Sequence, residues 1–116
     1  MKIALDMMGG DFAPLEAIKG IEVYLQNKNP GTTLLLIGDE PAIKQLLDRH
    51  NIPTEDLSII HASEVIEMHE HPTKALKDKK HSSIAIGFNL LATDKADAFI
   101  SAGNTGAMMV GALFSI

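Results

Sequence analysis

Two short stretches carry residues whose types and spacing could do chemistry. The first is Asp6-Met7-Met8-Gly9-Gly10-Asp11. Two carboxylates flank a glycine pair, and glycine lets backbone approach a ligand closely or take a positive φ. The second is Ser101-Ala102-Gly103-Asn104-Thr105-Gly106, small and polar residues that lead into an apolar run. The free N–H groups of a helix beginning there, with the Ser101, Asn104 and Thr105 side chains, would make a cradle for a phosphate or an oxyanion. Each stretch also has a plainer reading. The first could be a tight turn with Asp11 capping a helix, and the second a capped helix with glycine for close packing. Neither is a nucleotide motif: the first lacks the three spaced glycines of a dinucleotide fingerprint, and the second lacks the P-loop lysine.

Other candidates are weaker. Lys74, Lys77, Lys79 and Lys80 form a basic cluster that could attract phosphate or an acidic carrier protein, although such clusters are more often solvated faces. Ser82 and Ser83 could cap a helix or add donors to an anion site. His69 and His71 lie among Glu67 and Glu70; on a strand they would share a face and could take a metal. That segment does not read as a strand and offers no third ligand, so no metal is assigned. His50 and His61 receive no role. Met7, Met8, Met108 and Met109 could line a lipid-facing groove, but core packing is the simpler reading. With no cysteine in the sequence, disulfides, thiolate nucleophiles and Cys-based zinc sites are excluded. A formal charge of −5 argues against nucleic acid as a partner.

The elements that must position these groups follow from the apolar pattern. Residues 2–6 read as a buried strand, and Pro14 suits the first turn of a helix whose stripe is Leu15, Ile18, Ile21 and Leu25. Residues 32–37 are apolar on both faces, the signature of a strand covered on both sides in a parallel sheet. Asp39 and Pro41 open a second helix with Ile43, Leu46 and Leu47 inward. Leu57 to His61 is a third strand. Ala62 to Lys80 is of mixed polarity and reads as an irregular excursion, a candidate insertion, with one helical turn near Ala75. Ser82 or Ser83 caps a helix over 84–93 with Ile84, Phe88 and Leu91 inward. Ala98 to Ser101 is a fourth strand, and a last helix presents Met108, Met109, Ala112, Leu113 and Ile116 on one side. The alternation of strand and helix predicts an α/β fold, a mostly parallel sheet with helices on both faces and right-handed crossovers. At 116 residues the chain fits one domain. No segment approaches the length of a membrane span, and the start has too short an apolar run for a signal peptide. The last apolar helix closes without Gly, Pro or a polar cap, which reads as the truncated amino-terminal part of something longer.

Asp6-x-Met8-Gly9-Gly10-Asp11 at the extreme start resembles the opening of the PlsX phosphate acyltransferases. The resemblance continues in order through Gly38-Asp39, His61-Ala62-Ser63-Glu64-Val65-Ile66, Pro72, Ala75-Leu76, Lys79-Lys80, Ser82-Ser83, Ala96-Asp97-Ala98 and Ser101 to Ala107. It covers nearly the whole chain. Two positions depart from the family pattern: Met7 stands where alanine is usual, and Lys77 where arginine is usual, which gives up a bidentate fork for phosphate. Family members are also much longer than this sequence.

The resemblance implies a fold similar to that of phosphotransacetylases and isocitrate/isopropylmalate-type dehydrogenases. It implies reversible acyl transfer from acyl-carrier protein to inorganic phosphate, giving acyl phosphate for glycerol-3-phosphate acylation in phospholipid synthesis. A homodimer, a cytoplasmic location with peripheral association at the inner face of the membrane or with a glycerol-3-phosphate acyltransferase, and no cofactor are further implications. Without a thiol or a Ser-His-Asp pattern, direct attack of phosphate on the thioester is the simpler mechanism. The sequence then assigns phosphate or oxyanion binding to Ser101, Gly103, Asn104, Thr105 and Gly106, with Asn104 in the reaction itself. Gly9 and Gly10 bind substrate, Asp6 and Asp11 orient donors or handle protons, and Lys79, Lys80, Ser82 and Ser83 follow as second-tier binders. Competing readings are a phosphotransacetylase-like enzyme using coenzyme A, an inert fragment or non-enzymatic α/β binding module, and a receiver-like signalling module. The last is poor, because receivers need an acidic pair after the first strand and an Asp after the third, where this chain has Asp6 alone and His61.

Overall fold

The computed structural model describes residues 1–10, 13–27 and 30–115, the side chains of 114 and 115 excepted. Nine elements follow one another: β1 (Lys2–Asp6), α1 (Leu15–Leu25), β2 (Thr33–Gly38), α2 (Glu40–Arg49), β3 (Leu57–His61), α3 (Pro72–Asp78), α4 (Ser83–Ala92), β4 (Ala98–Ile100) and α5 (Thr105–Ser115). The four strands form one sheet in the order β3-β2-β1-β4, and every pairing is parallel.

The period-two geometry of a strand divides the apolar side chains between two layers. Leu34 and Leu36 of β2, with Ile3 and Leu5 of β1, face α1 and α2 and pack on Ile18, Ile21, Ile43 and Leu47. Ala4, Leu35 and Ile37 face the opposite way, onto Leu90 and Ile86 of α4. The chain therefore forms an α/β fold with helices on both faces, as the doubly apolar β2 run predicts. A third cluster joins α3, α4 and α5 through Ala75, Ile84, Phe88 and Ala107. Its close packing is set by glycine: a Cβ on Gly111 would collide with the Phe88 ring, and one on Gly87 with Phe99.

The caps show why the helices start where they do. Asp39 accepts from the Ala42 N–H, and Ser82 from the Ala85 N–H; each satisfies a donor that the helix cannot. Four local expectations are corrected. Pro14 sits at the N-cap of α1, one residue ahead of its first turn. Leu15 is exposed, so the buried stripe of α1 begins at Ile18. The excursion from 62 to 80 holds a seven-residue helix, opened by the His71 side chain accepting from the Lys74 N–H and by Pro72. In α5, Met109, Ala112 and Leu113 are exposed, while Ala107 and Gly111, with Asn104 just ahead of the helix, form its buried line; Ile116 lies outside the described residues. Met7 is fully buried in the α1–α2 core. Met8 lies against Gly38.

Candidate functional site

Strands β1 and β2 run outward on one side of the sheet, and β4 returns to pair with the other side of β1. The strand order thus reverses between β1 and β4, and crevices outside the carboxyl ends at such a reversal are where open α/β sheets bind ligands. Asp6 ends β1 and Ser101 follows β4. Ninety-five residues apart in sequence, they meet: the Ser101 hydroxyl donates to Asp6 Oδ2 at 2.7 Å. The other carboxylate oxygen accepts from the Met8 N–H at 2.9 Å, and Ser101 Oγ accepts from the Gly103 N–H at 3.0 Å. A relay of carboxylate, hydroxyl and amide therefore links the two loops that the sequence singles out.

Glycine makes this approach geometrically possible. A Cβ on Gly9 would lie 2.7 Å from the Gly103 nitrogen and 2.9 Å from Asp6 Oδ2, closer than any side chain can stand. Gly10 has φ +91°, a conformation that suits glycine. Asp6 is 7% exposed, and among the described residues its carboxylate accepts from the Met8 N–H and the Ser101 hydroxyl. Asp11 lies outside the described residues.

The mouth of α5 is built differently. Asn104 is buried, and its Oδ1 accepts from the Ala107 N–H at 2.9 Å, capping the helix. Its Nδ2 donates to the backbone carbonyls of Glu67 at 2.9 Å and Glu70 at 3.2 Å. The side chain thus ties α5 to the turn ahead of α3. The same turn is held from the other side: Lys79 Nζ donates to Glu70 Oε2 at 2.8 Å and to the Val65 carbonyl at 2.7 Å, while Glu70 Oε2 accepts from the Glu67 N–H. The Lys79 ammonium, and after it the Glu67 N–H, hold the Glu70 carboxyl below its ordinary value of 4.5. Gly106 admits Pro72 of α3, whose ring would collide with a Cβ there. Thr105 is exposed in the first turn of α5, where backbone N–H groups lack intrahelical acceptors.

The second-tier residues separate. Ser82 and Ser83 are buried at the start of α4; the next residue, Ile84, reaches the corner, its Cδ1 3.3 Å from where a Gly103 Cβ would stand. The Ser82 hydroxyl oxygen accepts the capping bond from the Ala85 N–H, and the Lys79 ammonium donates to Glu70 and Val65. Lys80 is exposed and borders a shallow recess along α4 with Ala85, Ile86 and Asn89. His61 Nδ1 accepts from the Glu40 N–H at 3.1 Å. No group of three metal-ligating side chains occurs among the described residues.

Two features escape the sequence reading. One is the partnership of Glu70 and Lys79, whose nine-residue separation matches no helix or strand repeat. The other is a groove of about 560 Å³ between α1 and the β1–β4 edge, with Asp6, Gly10 and Ser101 at one end and Leu34 and Tyr24 at the other. Its legible signal is the small residues Ala17 and Gly20 on one side of α1, with Ala13 just ahead of the helix; a Cβ on Gly20 would meet nothing within 4 Å.

A family model described as "Fatty acid synthesis protein" matches residues 1–116. A protein named phosphate acyltransferase from Dictyoglomus turgidum is 48% identical over 113 residues, 97% of this chain and 33% of that protein. The phosphate acyltransferase of Halothermothrix orenii is 50% identical over 114 residues, 98% of this chain and 34% of that protein. That of Myxococcus xanthus is 42% identical over 116 residues, the whole of this chain and 32% of that protein. The chain spans about a third of the length of these relatives. It belongs to the phosphate acyltransferase family of fatty acid synthesis proteins.

Proposed function

We propose that the full-length protein containing this chain moves an acyl group from acyl-carrier protein to inorganic phosphate, and that the Asp6–Ser101–Gly103 corner lies at the reaction centre. The acyl phosphate would feed glycerol-3-phosphate acylation in phospholipid synthesis. The enzyme would act as a cytoplasmic homodimer, peripheral to the membrane, without a cofactor. The observation that carries this reading is the meeting of the two loops at the β1–β4 reversal, with a buried carboxylate bonded to a hydroxyl. Among the described residues no helix is long and apolar enough to cross a membrane.

In this mechanism a phosphate oxygen attacks the thioester carbonyl carbon. A C–O bond forms as the carbonyl electrons move to oxygen; the carbonyl then re-forms, the C–S bond breaks, and the carrier leaves as its thiol with the proton that the attacking hydrogen phosphate gives up. The protein's part is to hold the two reactants together and to offer oriented donors to the tetrahedral oxyanion. Asp6 fixes the Ser101 hydroxyl, and Ser101 fixes the Gly103 N–H. The loop entering α5 is thereby held with the first-turn amides of Thr105 and Gly106 available to an anion. Asn104 acts as a positioning residue, since its amide is spent on three backbone groups.

The test is acyl phosphate formation by the full-length protein with Ser101→Ala beside the wild type. The expected loss exceeds tenfold, about 1.4 kcal/mol of barrier; a smaller loss removes Ser101 from the reaction. A burst of covalent acyl-enzyme would rule out direct attack. Competition between acyl-carrier protein and acyl-CoA decides whether a coenzyme A thioester is the true donor.

A further inference from the structure

We infer that the outer edge of β4 and the groove between it and α1 form an interior interface, occupied in the full-length protein by a strand and a helix from the part of the polypeptide that this chain does not include. Three observations carry this. The first concerns coverage. Parallel sheets are covered on both faces, and α4 covers β4 on one side through Phe99. On the other side Ile100 is 57% exposed although its β1 neighbour Leu5 packs in the core, and the groove of about 560 Å³ runs beside it. The second is the hand of the connections. Helices α1 and α2 lie on one face as the chain moves from β1 to β3, and α4 lies on the other as it returns to β4. Because α5 packs on α4, a right-handed crossover through it sets the next parallel strand on the free side of β4. The third is length: the Dictyoglomus turgidum relative matches this chain over only 33% of itself.

The edge decides between occupants. Among the described residues β4 is bonded only to β1, so its outward N–H and C=O groups need partners once they are buried. A hydrocarbon chain fills the groove but leaves those groups unsatisfied, whereas a strand satisfies them and brings a helix to cover Ile100. Because Asp6, Gly10 and Ser101 border the same groove, that helix also closes one wall of the corner against water. The inference rests on the fold and stands whether or not the corner transfers acyl groups.

The experiment compares Ile100→Lys with Val23→Lys in the full-length protein. Val23 is 63% exposed and lies outside the groove lining. Ile100→Lys is expected to lower Tm by at least about 5 °C, independently of protein concentration, while Val23→Lys leaves it unchanged. Should Ile100→Lys not fold, Ile100→Ala carries the same sign with a smaller shift. Hydrogen exchange on the wild type gives an independent reading, with slow exchange expected at Ala98–Ile100 amides. Equal Tm values for the lysine variants with fast exchange in β4 would overturn the inference. So would a Tm loss that depends on dilution, which indicates a second copy. An unchanged Tm with altered acyl-chain preference would equally overturn it and assign the groove to substrate.

Discussion

The corner between β1 and β4 and the turn ahead of α3 are both polar and both tied to the mouth of α5, yet their hydrogen bonds are used in opposite ways. At the corner, the Asp6 and Ser101 side chains bond to each other across two loops and to the Met8 and Gly103 amides. At the turn, Asn104 spends its amide on Glu67, Glu70 and Ala107, and Lys79 spends its ammonium on Glu70 and Val65. Under the proposed function, the pair joined where two strand ends meet reaches substrate, whereas side chains consumed by the carbonyls of one turn hold shape. Position beside an active-looking motif therefore does not assign a chemical role.

Substitutions can break or sharpen this division. The largest effect is expected for Asp6→Ala in the full-length enzyme: acyl phosphate formation should fall on the order of a hundredfold, the scale of losing preorganised electrostatic support. A Tm drop with preserved kcat would move Asp6 to the scaffold. Gly9→Ala should come next, with more than a tenfold loss of activity, because the new methyl forces the two loops apart at Gly103; a crystal structure of the variant should show the Ser101–Asp6 bond lengthened. Asn104→Ala should act chiefly on stability, costing about 1–3 kcal/mol in urea denaturation through a lost cap and two abandoned carbonyls. Lost activity at undiminished stability would instead return Asn104 to the chemistry. The smallest effect belongs to Glu70→Gln. Since the folded-state Glu70 carboxyl titrates below its ordinary 4.5, the unfolded chain binds more protons between the two values, and stability rises with pH there. The stabilisation is complete above about 4.5 and is lost as pH falls through the lowered folded value. The gap between wild type and Glu70→Gln in acid titrations should close over that range.

Much of the fold is written in local pattern. Residues 33–38 carry apolar side chains on both faces because both faces are covered, and Asp39, Pro41 and Ser82 mark helix starts by the donors they satisfy or lack. What local pattern does not contain is neighbourhood. That β4 pairs with β1 and not β3 depends on the hand and length of the connection, and the candidate site exists only through that pairing. Helix α3 was hard to read because Ala75 and Leu76 are its only apolar interior residues between lysines. In α5 nearly every residue is apolar, so periodicity does not say which face is inward; small Ala107 and Gly111 win because Phe88 packs against that side. Asn104 reads as an anion ligand in the sequence because an amide beside a helix start looks the same whether it faces solvent or two carbonyls.

The most direct test of the proposed reaction centre is a double-mutant cycle on acyl phosphate formation from acyl-carrier protein and phosphate, with Asp6→Asn, Ser101→Ala and the pair together in the full-length protein. Residues that act as one unit give losses that do not add, so the double variant should be no slower than the worse single one, with each single loss above tenfold. Losses that multiply, or single variants within tenfold of wild type, would contradict the account.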